Sequence, residues 1–278
     1  MEQRYATSPE QIPGATTQEL RDRFLVQDLF VPGEVNVTYT HHDRIVLGGA
    51  VPGDAPLPLP TYDEIRSEYF LEHREVGIVN VGGTGTVTTD GEVHELPKGA
   101  CLYVGRGVRE VVFANAGSGE EGAAAFYLFS APAHTAYPTV LTLPGQGTVR
   151  ELGDQVTSNR RSLNQYIHEN GVKSCQIVMG VTSLHEGSMW NTMPAHTHDR
   201  RTECYLYFDV PAEARVVHLC GRPDETRHLV VADREAIISP SWSVHSGVGT
   251  AAYSFVWAMA GENQSFDDMD GFPVTSMR

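Results

Sequence analysis

The chain has 278 residues, a formal net charge of −15 at pH 7 and 41% hydrophobic residues. This length and apolar content suffice for one large or two ordinary domains, and the acidic balance, with no Lys/Arg-rich run, argues against nucleic acid or an anionic membrane surface as a partner. Four cysteines without a Cys-x-x-Cys pair favour reduced thiols. Because neither a signal-peptide core nor eighteen consecutive apolar residues occur, we expect a cytoplasmic protein.

A short helix is predicted within an N-terminal arm of residues 1–30. Thr16 and Glu19 have the spacing of a capping box, and Leu20, Phe24 and Leu25 follow at helical intervals. The helix should therefore begin just after Thr16.

Short strands separated by turns dominate the rest of the chain. They predict one barrel over residues 31–131 and a second over residues 173–278. Residues 132–172 are interpreted as a connector, because Pro138, Pro144, Gly145 and Gly147 should interrupt regular structure. The predicted fold class is all-β, with two jelly-roll barrels and few short helices.

Four potential metal ligands occur in the order His-x-His-x4-Glu and, much later, Pro-x-x-x-x-His. They are His196, His198, Glu203 and His245. On a strand, side chains two residues apart point to one face, so both histidines of the pair can reach one ion. Three imidazoles and one carboxylate suit zinc, manganese or iron and leave coordination positions free.

An isolated His-x-His pair is commonly a surface feature, so the alternative is a set of exposed or hydrogen-bonded histidines. The order of all four ligands and their strand context favour the metal site. The two halves can also be aligned by matching residues 99–104 to residues 235–240. This alignment places Arg109 opposite His245, so the first barrel is predicted to lack a metal.

Several segments resemble the 5-keto-4-deoxyuronate isomerase (4-deoxy-L-threo-5-hexosulose-uronate ketol-isomerase) family of the cupin superfamily. The two metal motifs resemble those of cupins in general, and the duplication resembles a bicupin. The narrower resemblance rests on the segments 157–161 (TSNRR), 190–201 (WNTMPAHTHDRR), 239–250 (SPSWSVHSGVGT) and 261–264 (GENQ).

This resemblance implies an enzyme of pectin degradation that interconverts 5-dehydro-4-deoxy-D-glucuronate and 3-deoxy-D-glycero-2,5-hexodiulosonate. It implies that His196, His198, Glu203 and His245 bind one divalent ion per subunit, with Zn²⁺ expected. It further implies a homo-oligomer, a hexamer in this family, and a small anionic sugar acid as the substrate.

Candidates for the remaining chemistry are less clearly marked. The carboxylate of a uronate calls for a guanidinium. The arginine candidates, each with a solvated surface position as its alternative, are Arg160, Arg161 and Arg201, followed by Arg200 and Arg227. Tyr205, which should share the face of Glu203 with Tyr207, and Glu262 are candidates for proton transfer. Their alternatives are barrel packing for the tyrosines and an ordinary surface carboxylate for Glu262.

Three other functions remain open at this level. A 5-deoxyglucuronate isomerase of inositol catabolism would share the fold and metal chemistry. An iron-dependent cupin dioxygenase could use the same ligands, and a non-catalytic sugar-binding cupin needs only the barrel.

Overall fold

A computed structural model describes residues 1–116 and 122–278. The N-terminal arm forms the predicted helix α1 (Thr17–Phe24), which Thr16 caps by accepting a hydrogen bond from the Glu19 backbone N–H. The Glu19 side chain in turn accepts from the Thr16 backbone N–H, at 2.7 Å. Leu20 and Phe24 are buried, so the capping box and the apolar spacing together produce the helix. Short 3-10 helices cover Pro9–Gln11, Asp63–Ile65 and Val274–Ser276.

The first barrel consists of a seven-stranded and a four-stranded sheet, with strand orders β1-β3-β4-β11-β6-β9-β12 and β5-β10-β7-β8. Its strands are β1 (Glu2–Arg4), β3 (Val35–Thr40), β4 (Val46–Ala50), β5 (Leu57–Pro58), β6 (Arg74–Asn80), β7 (Gly85–Thr89), β8 (Glu92–Leu96), β9 (Cys101–Val104), β10 (Val111–Asn115), β11 (Phe126–Pro132) and β12 (Val140–Thr142).

The second barrel repeats this plan, with a seven-stranded sheet ordered β13-β14-β15-β22-β17-β20-β2 and a five-stranded sheet ordered β19-β18-β21-β16-β23. Its strands are β2 (Leu25–Val26), β13 (Thr148–Leu152), β14 (Arg161–Ile167), β15 (Val178–Leu184), β16 (Trp190–Thr197), β17 (Arg201–Phe208), β18 (Val216–Arg222), β19 (Glu225–Val231), β20 (Ala236–Ser239), β21 (His245–Gly249), β22 (Ser254–Gly261) and β23 (Asp270–Gly271). The arm thus contributes β2 to the second barrel.

The two seven-stranded sheets pack against each other through their outer faces. One apolar cluster contains Tyr127 and Phe129 from the first barrel together with Cys204, Leu206 and Val256 from the second. Separate clusters fill the two barrel interiors. Strands β6, β9, β17 and β20 are therefore buried on both faces, and this burial includes the polar side chains of β6 and β17.

A buried carboxylate also joins the two barrels. Glu75 on β6 is fully buried. It accepts hydrogen bonds from the Tyr103 hydroxyl at 2.7 Å and from the backbone N–H groups of Cys175, Gln176 and Ile177 at 2.7, 2.7 and 3.0 Å. Those three residues immediately precede β15, so one side chain of the first barrel fixes the start of a central strand of the second.

The interpretation of residues 132–172 as a connector without regular structure is wrong. Strand β12 pairs with β9 in the first barrel, and β13 and β14 extend the large sheet of the second. The prolines lie beside these strands: Pro138 precedes β12, and Pro144 lies between β12 and β13. Proline is tolerated there because no ladder hydrogen bond is lost.

The predicted alignment of the halves is shifted, by one residue at β9 and β20 and by two residues at β10 and β21. It matched Cys101 with Ile237, but Cys101 lies in the cluster between the sheets and Ile237 lies inside the second barrel. A one-residue shift exchanges the two faces of a strand. Val111, the first residue of β10, corresponds to His245, the first residue of β21, and Arg109 lies outside the strand.

Candidate metal centre

Three strands of the second barrel bring the four predicted ligands together. His196 lies on β16 directly opposite His245 on β21, in antiparallel register. His198 follows the end of β16, and Glu203 is the third residue of β17. The alternation predicted for β17 is present, because Tyr205 and Tyr207 face the barrel interior with Glu203 while the residues between them face the other barrel.

The four ligand atoms converge within 4.8 Å of one another. The His196 Nε2 atom lies 3.2 Å from the His198 Nε2 and 3.0 Å from the His245 Nε2. The Glu203 Oε2 atom lies 2.9 Å from the His198 Nε2 and 2.8 Å from the His245 Nε2. Among the described residues, this is the group of metal-ligating side chains that could hold an ion.

The chemistry of these atoms fits a cation. His198 Nδ1 lies 2.9 Å from the Asp268 carbonyl oxygen and must carry the hydrogen there, so its Nε2 presents a lone pair. Glu203 Oε2 is buried and has no hydrogen bond of acceptable geometry despite its two short contacts to imidazole nitrogens. The lone pairs of His198 Nε2 and Glu203 Oε2 lie 2.9 Å apart and favour a positive centre between them, and ligand bonds of about 2.0–2.2 Å would span this separation.

Burial and mutual charge set the protonation states in the same direction. Burial, followed by the neighbouring His245 and His198, lowers the pKa of His196 to about 2. Burial alone would raise the pKa of Glu203, but the adjacent His245 and His198 outweigh it and hold that pKa below its usual range. A neutral imidazole beside an ionised carboxylate is the state that binds a divalent metal.

A cavity of about 240 Å³ opens beside the cluster. It is lined mainly by apolar side chains, including Trp257 and Phe266, with His196, His198 and Glu203 on one wall. Among the lysines and arginines of the described residues, Arg161 is the one that lines this cavity. Tyr205 also lines it, with its hydroxyl 3.2 Å from the Thr192 Oγ1.

The other predicted arginines do not reach the cavity. Arg201 is fully buried, and its guanidinium donates to the Ser265 and Asp268 carbonyl oxygens at 2.6 and 2.8 Å. These bonds occupy the group that was predicted to bind substrate. Arg160 is exposed. Arg200 forms ion pairs with Asp268 and Asp270, and Arg227 pairs with Glu225.

The predicted proton-transfer residues separate in the same way. Tyr205 lies in the cavity wall, whereas the Glu262 side chain is exposed and does not line the cavity. The Glu262 backbone N–H donates a hydrogen bond to the Arg200 carbonyl oxygen at 3.0 Å.

Sequence reasoning did not assign Thr192, His218 or the segment 265–272 to the site. His218 is fully buried, and its Nδ1 lies 2.8 Å from the Tyr207 hydroxyl. The sequence offered one signal for His218, which lies on the same face of the apolar strand β18 as Val216 and Cys220. The returning segment carries Phe266 and Met269 to the cavity, and no local pattern indicates that contact.

This architecture and donor set define a bicupin with a candidate metal centre in its second barrel. An IolB-like protein from Salmonella typhimurium is similar in structure, with a TM-score of 0.67 and 15% identity, covering 82% of this chain and 87% of that one. A Bacillus subtilis oxalate decarboxylase mutant has a TM-score of 0.52 and 11% identity, covering 80% and 70%. At these identities the likeness shows the fold, and the predicted all-β bicupin class is confirmed.

The chain belongs to the KduI/IolB family, whose model matches residues 24–271. A protein of Kineococcus radiotolerans named 4-deoxy-L-threo-5-hexosulose-uronate ketol-isomerase is 71% identical over 279 residues, covering 100% of both chains. A protein of the same name from Bacillus pumilus is 56% identical over 278 residues, again covering 100% of both. The family resemblance inferred from the motifs is confirmed. In the part of the chain that the structure describes, none of the helices has the length and hydropathy of a membrane span.

Proposed function

We propose that this chain is a metal-dependent aldose–ketose isomerase that converts 5-dehydro-4-deoxy-D-glucuronate to 3-deoxy-D-glycero-2,5-hexodiulosonate in pectin degradation. The observation that carries the proposal is the convergence of three histidines and a carboxylate beside a cavity that is lined by two of those histidines, the carboxylate and Arg161. The names of relatives that match over their full length support the choice of substrate.

His196, His198, Glu203 and His245 would hold the ion, for which we propose Zn²⁺, at one per subunit. When bound, such an ion polarises a carbonyl group and stabilises negative charge on oxygen, which is the chemistry an aldose–ketose isomerisation requires. No electron leaves the substrate, so a redox-inert ion suffices.

Arg161 would bind the substrate carboxylate. Its guanidinium is half-buried beside the apolar wall, and its Nη1 donates to the Asn159 carbonyl oxygen at 2.8 Å, which holds the side chain in place. Burial lowers the pKa of Arg161, but a guanidinium remains charged at neutral pH. A carboxylate that enters the cavity would therefore find one fixed positive partner.

The isomerisation moves a proton from the hydroxyl-bearing carbon to the carbonyl carbon through an enediol. Burial, followed by the Glu203 charge, raises the pKa of Tyr205 well above its usual value. The phenol thus keeps its proton and is suited to donate a hydrogen bond to a substrate oxygen on which charge develops. The mainly apolar walls of the cavity offer water few hydrogen-bonding partners beside the enediol.

We also propose that the protein acts in the cytoplasm as a homo-oligomer, a hexamer by family resemblance, without nucleic-acid or membrane partners. The acidic net charge supports this last point.

The test follows the purified protein by NMR with 5-dehydro-4-deoxy-D-glucuronate in heavy water, after its bound metal has been quantified. We expect conversion to the 2,5-diketo acid with solvent deuterium in the product. A His196→Ala, His198→Ala double variant should lose both metal and turnover, while His228→Ala, which alters an exposed histidine on β19, should keep both. A metal-loaded wild-type protein that leaves the substrate unchanged would disprove the proposed reaction.

A further inference from the structure

The segment 262–272, here called the C-terminal strap, returns from β22 to the metal centre. It ends in β23, where Gly271 pairs with His196, and the Phe272 backbone N–H donates to the Ala195 carbonyl oxygen at 3.0 Å. Phe266 and Met269 on the strap line the cavity. The strap therefore contacts both the ligand-bearing strand β16 and the space proposed for the substrate.

One strap atom sets the orientation of a ligand. The Asp268 carbonyl oxygen accepts from His198 Nδ1 at 2.9 Å and from Arg201 Nη2 at 2.8 Å. These two donors lie 3.2 Å apart because they share the same acceptor. The carbonyl thereby fixes the tautomer and the ring plane of His198, and its position depends on what holds residue 268.

The Asp268 side chain is held by a set of convergent donors. Arg200 Nε donates to both carboxylate oxygens at 2.8 Å, and Asn263 Nδ2 donates to Oδ2 at 2.6 Å. Arg200 Nη2 also bonds to Asp270 at 3.0 Å, so one guanidinium ties two strap residues to the segment between β16 and β17. Neither Arg200 nor Asp268 lines the cavity.

We propose that the Arg200–Asp268 ion pair is a positioning device that holds the strap where its backbone carbonyl orients His198 for metal binding. The inference deepens the proposed function because it concerns how the same centre is assembled. Groups that orient metal ligands from outside the ligand set typically change metal affinity by about 10- to 100-fold when they are replaced. Because the strap also carries Phe266 and Met269, displacing it should also raise the KM.

The test measures the Zn²⁺ dissociation constant of the metal-free protein by competition with a chromophoric chelator, without substrate. Asp268→Asn keeps the backbone carbonyl and the side-chain volume, and Arg200→Gln removes the cation. We expect each to raise the dissociation constant roughly tenfold. The double variant should match the single variants, because two halves of one pair are not additive.

Asp224→Asn is the matched control, because Asp224 also pairs with an arginine, Arg222, at 3.1 Å, but on an exposed surface. It should bind Zn²⁺ as the wild type does, and thermal melting of the metal-free forms checks that all variants fold. Wild-type affinity in Asp268→Asn or Arg200→Gln, or a double variant whose loss is the sum of the two, would overturn the inference. Since the readout is metal binding, failure of the isomerase assay alone leaves this result interpretable.

Discussion

Replacing Glu75 with Gln tests whether a buried carboxylate fastens the two barrels to each other. Oε2 accepts from the Tyr103 hydroxyl and the Cys175 N–H, and Oε1 accepts from the Gln176 and Ile177 N–H groups. A glutamine must place an NH2 group at one of the two oxygen positions. At the Oε2 position the Tyr103 hydroxyl can rotate to accept, so a single N–H, that of Cys175, loses its partner.

The cost follows from counting these bonds. One unsatisfied buried N–H costs about 1–3 kcal/mol, and three remaining bonds lose their charge assistance, roughly 0.5–1 kcal/mol each. Removing the buried charge relieves part of its desolvation cost, which offsets some of this loss. We therefore expect the free energy of unfolding to fall by about 3 kcal/mol in Glu75→Gln.

Equilibrium denaturation in urea, followed by tryptophan fluorescence and circular dichroism, measures this change. Tyr103→Phe is the control, because it removes one donor and leaves the carboxylate and all three backbone bonds. It should cost about 1.5 kcal/mol, clearly less than Glu75→Gln. A loss below about 1 kcal/mol in Glu75→Gln, or an equal loss in both variants, would refute the role assigned to the carboxylate.

Three further predictions concern the site. Glu203→Gln removes the only anionic ligand of the cluster and should lower Zn²⁺ affinity at least roughly 100-fold by competition titration; full metal occupancy under chelator would contradict this. Arg161→Gln should lower kcat/KM about 100-fold, the equivalent of about 2.8 kcal/mol, mostly through KM, with partial recovery in Arg161→Lys; a change under about twofold would remove Arg161 from substrate binding. Burial, followed by His245, lowers the pKa of His218 to about 3. The unfolded chain therefore takes up a proton near pH 6.5 that the folded chain excludes, and stability falls as pH drops below 6.5. Between pH 7 and 5.5, His218 should lower the free energy of unfolding of the metal-free protein by about 1 kcal/mol. In His218→Gln, urea unfolding should show a pH-dependent decrease that is smaller by this amount. A decrease equal to that of the wild type would contradict the role assigned to His218.

The alternation of side chains along β17 made the inward-facing side of this strand predictable from the sequence. Glu203, Tyr205 and Tyr207 share a face because a strand alternates every residue, and this pattern does not depend on distant contacts. The capping box at Thr16 is equally local, and helix α1 begins where it indicates. Both predictions succeeded because the determining interactions span only a few residues.

The failures involve strands and contacts that local patterns cannot specify. Strand β13 is exposed along most of its length, so it has no apolar periodicity, and pairing with β14 alone defines it. Arg201 was a candidate for substrate binding because a uronate carboxylate calls for a guanidinium, and the sequence does not reveal that the strap returns to occupy this one. Its acceptors, the carbonyl oxygens of Ser265 and Asp268, lie 64 and 67 residues later.

The duplication itself supports a structural role for Arg201. The paired strands place Arg74 on β6 where Arg201 stands on β17, and both arginines are buried. Arg74 donates to the carbonyl oxygens of Arg44 and Ser130, so each barrel uses this arginine to hold backbone.

The second barrel differs from the first at two inward-facing positions, those of Glu203 and His245. The same strand pairing places Val76 where Glu203 stands, and Val111 occupies the place of His245. Both valines belong to the packed interior of the first barrel. Metal-ligating side chains can stand in place of two packed valines only if surrounding groups hold them, because buried polar groups without partners are costly. In the second barrel, Arg201 and the strap supply that support. The first barrel contributes one side of the apolar cluster between the two large sheets, and its Glu75 fixes the start of β15.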